Sequence, residues 1–462
     1  MTRVMLRGAQ VITMSSNRPD AESIDILIDG DQIADIGADL SDDGAEIIDC
    51  TGRIVMPGLV NAHLHTWQTG LRTLGADWTL SDYLGHSHGT IAKHYSPEDI
   101  RIATLAGALG QINSGTTTIA DWCHNTKSPD HSDAAIEGLA TSGIRAVFLH
   151  GTPYSTSTAH PIHEIDRLLD GSIRSHELLS LGMAIRGPQL SPPDIAVADF
   201  RAAGERGLVV SMHQSGGEAR SGWDAVYSAD LIGPRTNIAH GAGLSDDWVK
   251  RLTDAGATFT ATPENELGQG HGAPITARLL PIGAAPSLGT DTDCVVAGDL
   301  LTSARIALAH QRGLDHDRQR RSTGVFSFDQ TVTSKQALEW ATTEGARALG
   351  LADRVGRIEP GMQADLIVID ARALNLWPAH DPVAAALHSS FGNIEAVLIA
   401  GQWRKRDHNL VDSNVENVKT ELARSAERLV RKFRTPGILG GLRQKAVRKV
   451  VQRRMIRELS TD

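Results

Sequence analysis

The sequence predicts an α/β protein whose main part is a (β/α)8 barrel, the TIM-barrel architecture, joined to a smaller β domain and a helical tail. Three observations support this fold class. Strand-like runs alternate with helix-like stretches through the middle of the chain, as parallel βα units require. Four of these runs end in histidine or aspartate. Short β runs separated by turn signals also occur near both ends of the chain.

Each part of the predicted architecture corresponds to a segment of the 462-residue chain. One small β-sandwich domain built from both ends explains the β texture that these ends share. The segments are 1–56 and 360–415 for the β-sandwich, 57–359 for the barrel and 416–462 for the tail. Barrel strands are predicted at 54–60, 116–120, 145–149, 181–185, 208–212, 236–239, 258–261 and 287–289. Eight strands close such a barrel, and its active site lies at their C-terminal ends.

The pair His63 and His65 follows the first predicted strand. Alternate residues of a strand point the same way, so both imidazoles can bind one metal ion. An isolated pair of this kind is more often a solvated surface feature. Here the pattern recurs, because His213, His240 and Asp291 also follow predicted strands. The sequence therefore predicts a metal site at one mouth of the barrel.

The net charge of −10 is unevenly distributed along the chain. Residues 416–462 contain 13 Lys and Arg against 5 Asp and Glu, a net charge of +8, which leaves −18 on the rest. We expect neither a nucleic acid nor a membrane as partner. The tail predicts two amphipathic helices that pack on the barrel or another subunit, with an anionic surface as the alternative. Their apolar positions are Val418, Leu422, Leu429, Val430 and Phe433, then Val447, Val450, Val451 and Met455.

Composition also bears on the compartment. No apolar run approaches the roughly 18 residues that a membrane span needs, and the N-terminus lacks a signal-peptide pattern. The three cysteines, Cys50, Cys123 and Cys294, are odd in number and far apart, which disfavours a disulfide framework or a zinc knuckle. We therefore expect a cytoplasmic protein.

A series of motifs follows in order along the chain. They are PGLVNAHLHT at 57–66, GTTT at 115–118 with Asp121, then His213, His240, LGTD at 288–291 and GRIEPGMQADL at 356–366. In these motifs the chain resembles the amidohydrolase superfamily, in the branch of cytosine-deaminase-like and triazine-hydrolase-like enzymes. The resemblance extends from residue 1 to about residue 410.

The resemblance implies one divalent ion bound by His63, His65, His213 and Asp291, with His240 contacting the water on that ion. Three neutral imidazoles and one carboxylate suit Zn²⁺, our first choice, with Fe²⁺ or Mn²⁺ as alternatives. Such an ion lowers the pKa of its water to about 7. Asp291 can accept the proton and pass it to the leaving group, while His240 stabilises the developing charge.

Two departures from the family's pattern affect the predicted chemistry. Deaminases of this branch usually carry His-x-x-Glu at strand 5, where the glutamate protonates the substrate ring, but position 216 is glycine. Glu218 reaches the site only if the loop bends back. After strand 7, Glu266 stands near the place of a substrate-facing asparagine. It is our candidate catalytic acid/base or substrate contact, with a solvated loop charge as the alternative.

Other residues at the predicted mouth are candidates for holding a substrate. Trp67 offers an aromatic face for a flat heterocycle, and Arg186 can bind a carboxylate or carbonyl group. His124 and His271 are placed at the same mouth. The predicted substrate-binding residues are Trp67, Gln68, Arg186, Gln214, His240 and Glu266.

We therefore predict a metal-dependent hydrolase that acts on a carbon–nitrogen bond, other than a peptide bond, of a small cyclic or heteroaromatic substrate. Deamination and cyclic-amide hydrolysis are both compatible with the residues. A metal-dependent lyase, such as a decarboxylase or dehydratase, and a chlorohydrolase are the alternatives. A non-catalytic scaffold ranks last, because all four principal ligands remain. We also expect a homo-oligomer.

Overall fold

The computed structural model describes residues 3–42, 44–152, 158–217, 220–411 and 414–434, together with residue 449. Two sheets organise this part of the chain, an eight-stranded parallel barrel and a nine-stranded sheet made by strands from both chain ends. The predicted fold class is confirmed. Among the described residues, no helix combines the length and the apolar character that crossing a bilayer requires.

The strands alternate with helices through the barrel region, as the sequence predicts. The strands are β1 Arg3–Val11, β2 Glu22–Asp29, β3 Gln32–Gly37, β4 Glu46–Asp49, β5 Arg53–Pro57, β6 Leu59–Leu64, β7 Thr116–Cys123, β8 Arg145–Gly151, β9 Leu179–Ala184, β10 Val209–His213, β11 Thr236–Ala239, β12 Thr258–Ala261, β13 Ser287–Leu288, β14 Leu366–Asp370, β15 Ile394–Ile399, β16 Gln402–Arg406 and β17 Asn409–Leu410.

Most barrel strands are followed by a helix that packs on the outside of the barrel. The α-helices are α1 Leu80–Tyr83, α2 Pro97–Asn113, α3 Pro129–Ser142, α4 Ile162–Asp170, α5 Gly187–Leu190, α6 Pro193–Glu205, α7 Arg220–Ser228, α8 Asp246–Asp254, α9 Pro263–Gln269, α10 Thr276–Leu279, α11 Leu300–Thr323, α12 Ser334–Trp340, α13 Thr343–Ala348, α14 Pro382–His388 and α15 Val415–Arg434. A π-helical segment, Leu84–Ile91, and short 3₁₀ turns, including Thr66–Leu71, complete the helical structure.

The barrel runs in sequence order from β6 to β13, and each neighbouring pair of strands is parallel. It closes where β6 meets the residues after β13, because Leu64 and Asp291 form a parallel bridge. Gly289 allows this close approach. A Cβ atom at position 289 would lie 2.6 Å from the carbonyl oxygen of His63. At the point of closure, the backbones of β6 and of the residues after β13 therefore lie in close contact.

The first predicted strand, 54–60, is wrong as a single element. Arg53–Pro57 pairs with β14 in the end sheet, whereas Leu59–Leu64 is the first barrel strand. Gly58 lies between them and passes close to Thr117: a Cβ atom at position 58 would lie only 2.1 Å from the Thr117 side chain. The continuous apolar run conceals this break, since both halves are buried in different sheets.

A buried ion pair connects the barrel to the end sheet. Arg145, the first residue of β8, donates to both carboxylate oxygens of Asp365 at 2.7 and 2.9 Å. The two side chains are 2% and 1% exposed. Gln363 and the backbone N–H of Ala400 also bond to this pair. The Asp365 carbonyl accepts from Gly58, so the same residue fixes the crossing from sheet to barrel.

The basic tail begins with α15, which is the first of the two predicted tail helices. It packs on the protein's own barrel, against α2. Its residue Leu429 is fully buried, and its Ser425 and Arg428 both donate to Asp99. Asp99 in turn accepts from the Ser96 backbone in the capping box that starts α2. Apart from residue 449, the second predicted tail helix lies outside the described residues. Helix α15 is thus hydrogen-bonded to the N-terminal capping box of α2.

We predict that Asp365→Ala lowers the free energy of unfolding by about 3–5 kcal/mol, because it leaves the Arg145 guanidinium buried without its counter-charge. Equilibrium denaturation measures the loss. Asp254→Ala is the matched control, since Asp254 pairs with Lys250 at the surface, where such pairs contribute about 0–1 kcal/mol. Equal losses in both variants would contradict the structural role of the buried pair.

Candidate metal and catalytic site

The five residues that follow barrel strands in the sequence converge at one mouth of the barrel. His63 lies within β6, His65 directly follows it, and His213 is the last residue of β10. His240 follows β11, and Asp291 comes shortly after β13. Backbone hydrogen bonds from His65 to Asp291 (2.8 Å) and from Asp291 to His63 (3.0 Å) fix the two ends of the barrel to each other.

The side chains of these residues bring their ligand atoms together. His63 Nε2 lies 3.2 Å from His213 Nε2, and Asp291 Oδ1 lies 3.2 Å from His65 Nε2 and 3.8 Å from His63 Nε2. His240 Nε2 lies 3.9 Å from Asp291 Oδ2 and is buried without a hydrogen-bond partner among the described residues. Imidazole nitrogens facing one another around a carboxylate fit a divalent cation of the zinc type.

Hydrogen bonding orients His65 for this geometry. Its Nδ1 lies 2.8 Å from the carbonyl oxygen of Trp122, which can only accept, so Nδ1 carries the proton. The other ring nitrogen, Nε2, then faces Asp291. The Trp122 ring also packs against His63 and His213, with centroid distances of 5.2 and 3.9 Å. Such a carbonyl behind a histidine sets the tautomer that a metal ligand needs.

Burial sets the charge state of the cluster. Desolvation, reinforced by neighbouring imidazoles, lowers the pKa of His63 and of His213 well below the ordinary histidine value. Burial alone would raise the pKa of Asp291, but the neighbouring imidazoles, first among them His65, outweigh it and hold that pKa well below its usual range. Neutral imidazoles beside an ionised carboxylate are the protonation states in which these groups bind a metal.

His240 is held by Glu266 on the side of the ring away from Asp291. Its Nδ1 donates to Glu266 Oε1 at 3.1 Å, and the same oxygen accepts from the Thr262 backbone at 2.9 Å. Glu266 is 1% exposed. The alternative of a solvated loop charge is therefore wrong for Glu266, because α9 turns its side chain inward. Burial lowers the pKa of His240. The hydrogen bond to Glu266 and the charge of Asp291 raise it by more, so the pKa of His240 lies above the ordinary histidine value.

Asn265 belongs to the site although the sequence reasoning missed it. Its Nδ2 donates to Asp291 Oδ2, and its side chain is 1% exposed. Asn265 lies on the first turn of α9, two residues after Pro263 at the helix start. Its position next to Glu266, after the seventh barrel strand, was the sequence feature that could have indicated its place in the site. Asn265 thus hydrogen-bonds to Asp291, while Glu266 hydrogen-bonds to His240.

Gln214 has a structural contact pattern. Its Nε2 donates to the carbonyl oxygens of Gly216 and Gly217 at 3.0 and 2.8 Å, while its Oε1 accepts from Trp223 Nε1. The amide therefore shapes the loop after β10. Position 216 offers no side chain, and Glu218 lies outside the described residues. Substrate contact by Gln214 stays a prediction.

Trp67 and Gln68 lie fully buried in the 3₁₀ turn after β6. Gln68 accepts hydrogen bonds from Tyr83 Oη at 2.9 Å and from Thr292, the neighbour of Asp291. Trp67 packs edge-on against Tyr95, with ring centroids 5.2 Å apart. These contacts attach the segment after β6 to the strand end that carries Asp291. Direct contact of either residue with a substrate stays a prediction.

The remaining predicted mouth residues surround the cluster. Arg186 follows β9, half-buried at the N-terminus of α5. His271 lies with its ring 4.5 Å from that of His240, and its Nδ1 lies 3.3 Å from Ser215 Oγ. His124 follows β7, and its ring lies 4.5 Å from that of His65. A continuous wall of imidazoles therefore lines the mouth.

A (β/α)8 barrel with a buried histidine–aspartate cluster at its C-terminal mouth defines the class of barrel hydrolases that use a metal ion. The sequence falls within one family of this class. The model described as "Amidohydrolase family" matches residues 54–404, and the chain belongs to that family. It is an enzyme, a metal-dependent hydrolase of carbon–nitrogen bonds other than peptide bonds, as the sequence predicts.

Relatives with assigned activities align over nearly their full length. A 5-methylthioadenosine/S-adenosylhomocysteine deaminase of Pelotomaculum thermopropionicum is 29% identical over 459 residues, covering 93% of this chain and 99% of the relative. A 5'-deoxyadenosine deaminase of Methanosarcina mazei is 25% identical over 452 residues, covering 93% and 99%. These similarities support deaminase chemistry in the family around this chain.

Solved structures show the same fold. An adenosine deaminase from Xanthomonas campestris with bound zinc superposes with a TM-score of 0.81 at 19% identity, covering 93% of this chain and 99% of the other. Atrazine chlorohydrolase from Arthrobacter aurescens, complexed with zinc, gives a TM-score of 0.79 at 22% identity, covering 92% and 100%. At these identities the likeness establishes the fold alone.

Proposed function

We propose that this enzyme is an aminohydrolase that releases ammonia from the amino-substituted ring of an adenosine-like nucleoside, with one divalent ion, zinc in the first place. The observation that carries the proposal is the convergence of His63, His65, His213 and Asp291, with Nε2 of His63 and Nε2 of His213 3.2 Å apart. The deaminase names of the curated relatives support the choice of substrate class.

In this proposal the three histidines and Asp291 hold the ion, which when bound supplies a water activated for attack at neutral pH. Asp291 accepts a proton at its carboxylate and returns it to the leaving amine. Asn265 keeps the Asp291 carboxylate in one orientation through its hydrogen bond to Oδ2. In this orientation Oδ1 of Asp291 faces His65, while Oδ2 faces Asn265. The two carboxylate oxygens therefore have different partners.

His240 acts on the developing charge through its Nε2, which faces the Asp291 side of the mouth. Glu266 is a positioning residue for this role rather than the acid/base that the sequence suggested, because it contacts the opposite nitrogen, Nδ1, of the His240 ring. The acceptor at Nδ1 fixes the ring tautomer and its angle. Glu266 therefore acts through His240.

Hydrolysis of a cyclic amide is the second candidate function. One specific observation favours it, namely that the loop after β10 presents no carboxylate at position 216 and commits the Gln214 amide to its own backbone. Opening an amide ring needs less protonation of a ring nitrogen than deamination does.

Association into a homo-oligomer and a cytoplasmic location stay predictions.

The first test couples metal analysis to an ammonia-release screen. We expect about one equivalent of zinc, iron or manganese per chain, and ammonia release from adenosine-like nucleosides. Cyclic amides and chlorinated triazines run in parallel as competing substrate classes. Metal without ammonia from any nucleoside, but with ring opening of a cyclic amide, would replace the first proposal with the second.

Asp291→Asn separates metal binding from turnover. The amide keeps one oxygen that can contact the metal but accepts no proton, so we expect partial metal retention and loss of turnover by about 100-fold or more. Metal analysis and steady-state kinetics on the same preparation provide both measurements. Turnover like that of the wild type would remove Asp291 from the mechanism.

Glu266→Gln tests the positioning of His240. Glutamine keeps an oxygen acceptor for the Thr262 backbone but removes the charge beside His240, so we expect kcat to fall by about 10–100-fold while metal content stays unchanged. Glu264→Gln, two positions earlier on α9, is the matched control, since the carboxylate that bonds to the His240 ring is that of Glu266. A change in KM alone would instead make Glu266 a substrate contact.

A further inference from the structure

The metal-ligating residues of the proposal do not exhaust the imidazoles at the mouth. His65, His124 and His213 also form a group whose ligand nitrogens all lie within 4.8 Å of one another. This group shares two histidines with the proposed metal site. Its third member, His124, has no part in the mechanism derived above, although its position relative to His65 and His213 resembles that of a ligand.

The fold holds His124 in place through the neighbouring strands. It directly follows β7, and Gly151 at the end of β8 lets the two strand ends approach closely, since a Cβ atom there would lie 2.9 Å from the Cα of His124. The His124 ring stacks on His213 at 5.3 Å with an interplanar angle of 16°. The Trp122 ring also stacks on the His124 ring, with centroids 5.6 Å apart and an interplanar angle of 22°, so the His124 ring has packed partners that limit its rotation.

We propose that His124 is an additional ligand of the metal ion, beside His65 and His213, whose ligand nitrogens lie within 4.8 Å of its own. The inference rests on the proposed function, because it requires a bound ion. Imidazole suits the same metals as the other ligands. His124 thereby adds a ligand that follows β7, whereas His240 follows β11.

His88 provides a matched control for this inference. Its ring lies 4.7 Å from that of His124, so it is the next imidazole along the same wall. Among the described residues, however, it belongs to no group whose nitrogens are close enough to share an ion. Its Nε2 lies 3.3 Å from Tyr83 Oη. Replacing His88 removes an imidazole of equal size from the wall without removing a proposed ligand.

The experiment titrates the metal-free full chain with Co²⁺ and follows the visible absorption, with a competing chelator to determine affinity. Wild type, His124→Ala, His124→Gln and His88→Ala are compared. We expect both His124 variants to bind Co²⁺ at least tenfold more weakly, with absorption bands that move toward a lower coordination number. The His88→Ala variant should keep the wild-type spectrum and affinity. Circular dichroism confirms that each variant is folded.

The outcomes distinguish this inference from the proposed function. If wild type binds one Co²⁺ and both folded His124 variants match it in affinity and spectrum, His124 is not a ligand and the proposed function stands. If wild type binds no Co²⁺, both proposals fail. If His88→Ala weakens binding as much as the His124 variants do, the effect belongs to the packing of the wall, and the assignment of His124 is overturned.

Discussion

The closure of the barrel between β6 and the residues after β13 is the constraint on which the site depends. The backbone of Asp291 bonds to both His63 and His65, so the strand pairing that completes the barrel also sets the spacing of three proposed ligands. Gly289 permits this approach, because any side chain there would collide with His63. Fold and site geometry are consequently determined by the same few contacts rather than by separate ones.

Two site residues adopt a backbone conformation that is rare for side-chain-bearing residues. His240 has φ +70° and Asp291 has φ +61°, both in the left-handed region. Each comes just past a barrel strand, where the chain turns away from the strand direction and the side chain is aimed into the mouth. Surrounding contacts must compensate the cost of about 1–3 kcal/mol for each residue. The closure hydrogen bonds at Asp291 and the Glu266 contact at His240 are suited to do so.

The sequence was informative where chemistry and strand periodicity coincide. The predicted strands 236–239 and 258–261 match β11 and β12 to the residue, and the ligand-bearing positions follow from strand ends. It was less informative where the outcome depends on tertiary contact. At Gly58 the chain lies so close to Thr117 that a Cβ atom would collide with it, and the inward direction of Asn265 and Glu266 is set by their contacts with Asp291 and His240. Neither feature has a periodic signature, because each is set by a neighbour distant in the chain.

The attachment of α15 to Asp99 has a consequence for synthesis. The 3₁₀ turn Thr66–Leu71 after β6 is synthesised well before α15, the helix that packs against it. The end sheet has the same dependence, because β5 needs β14 as its partner. A nascent chain thus carries every proposed ligand long before its supporting elements exist. We therefore expect the centre to reach its final form only once β14 and α15 have been synthesised.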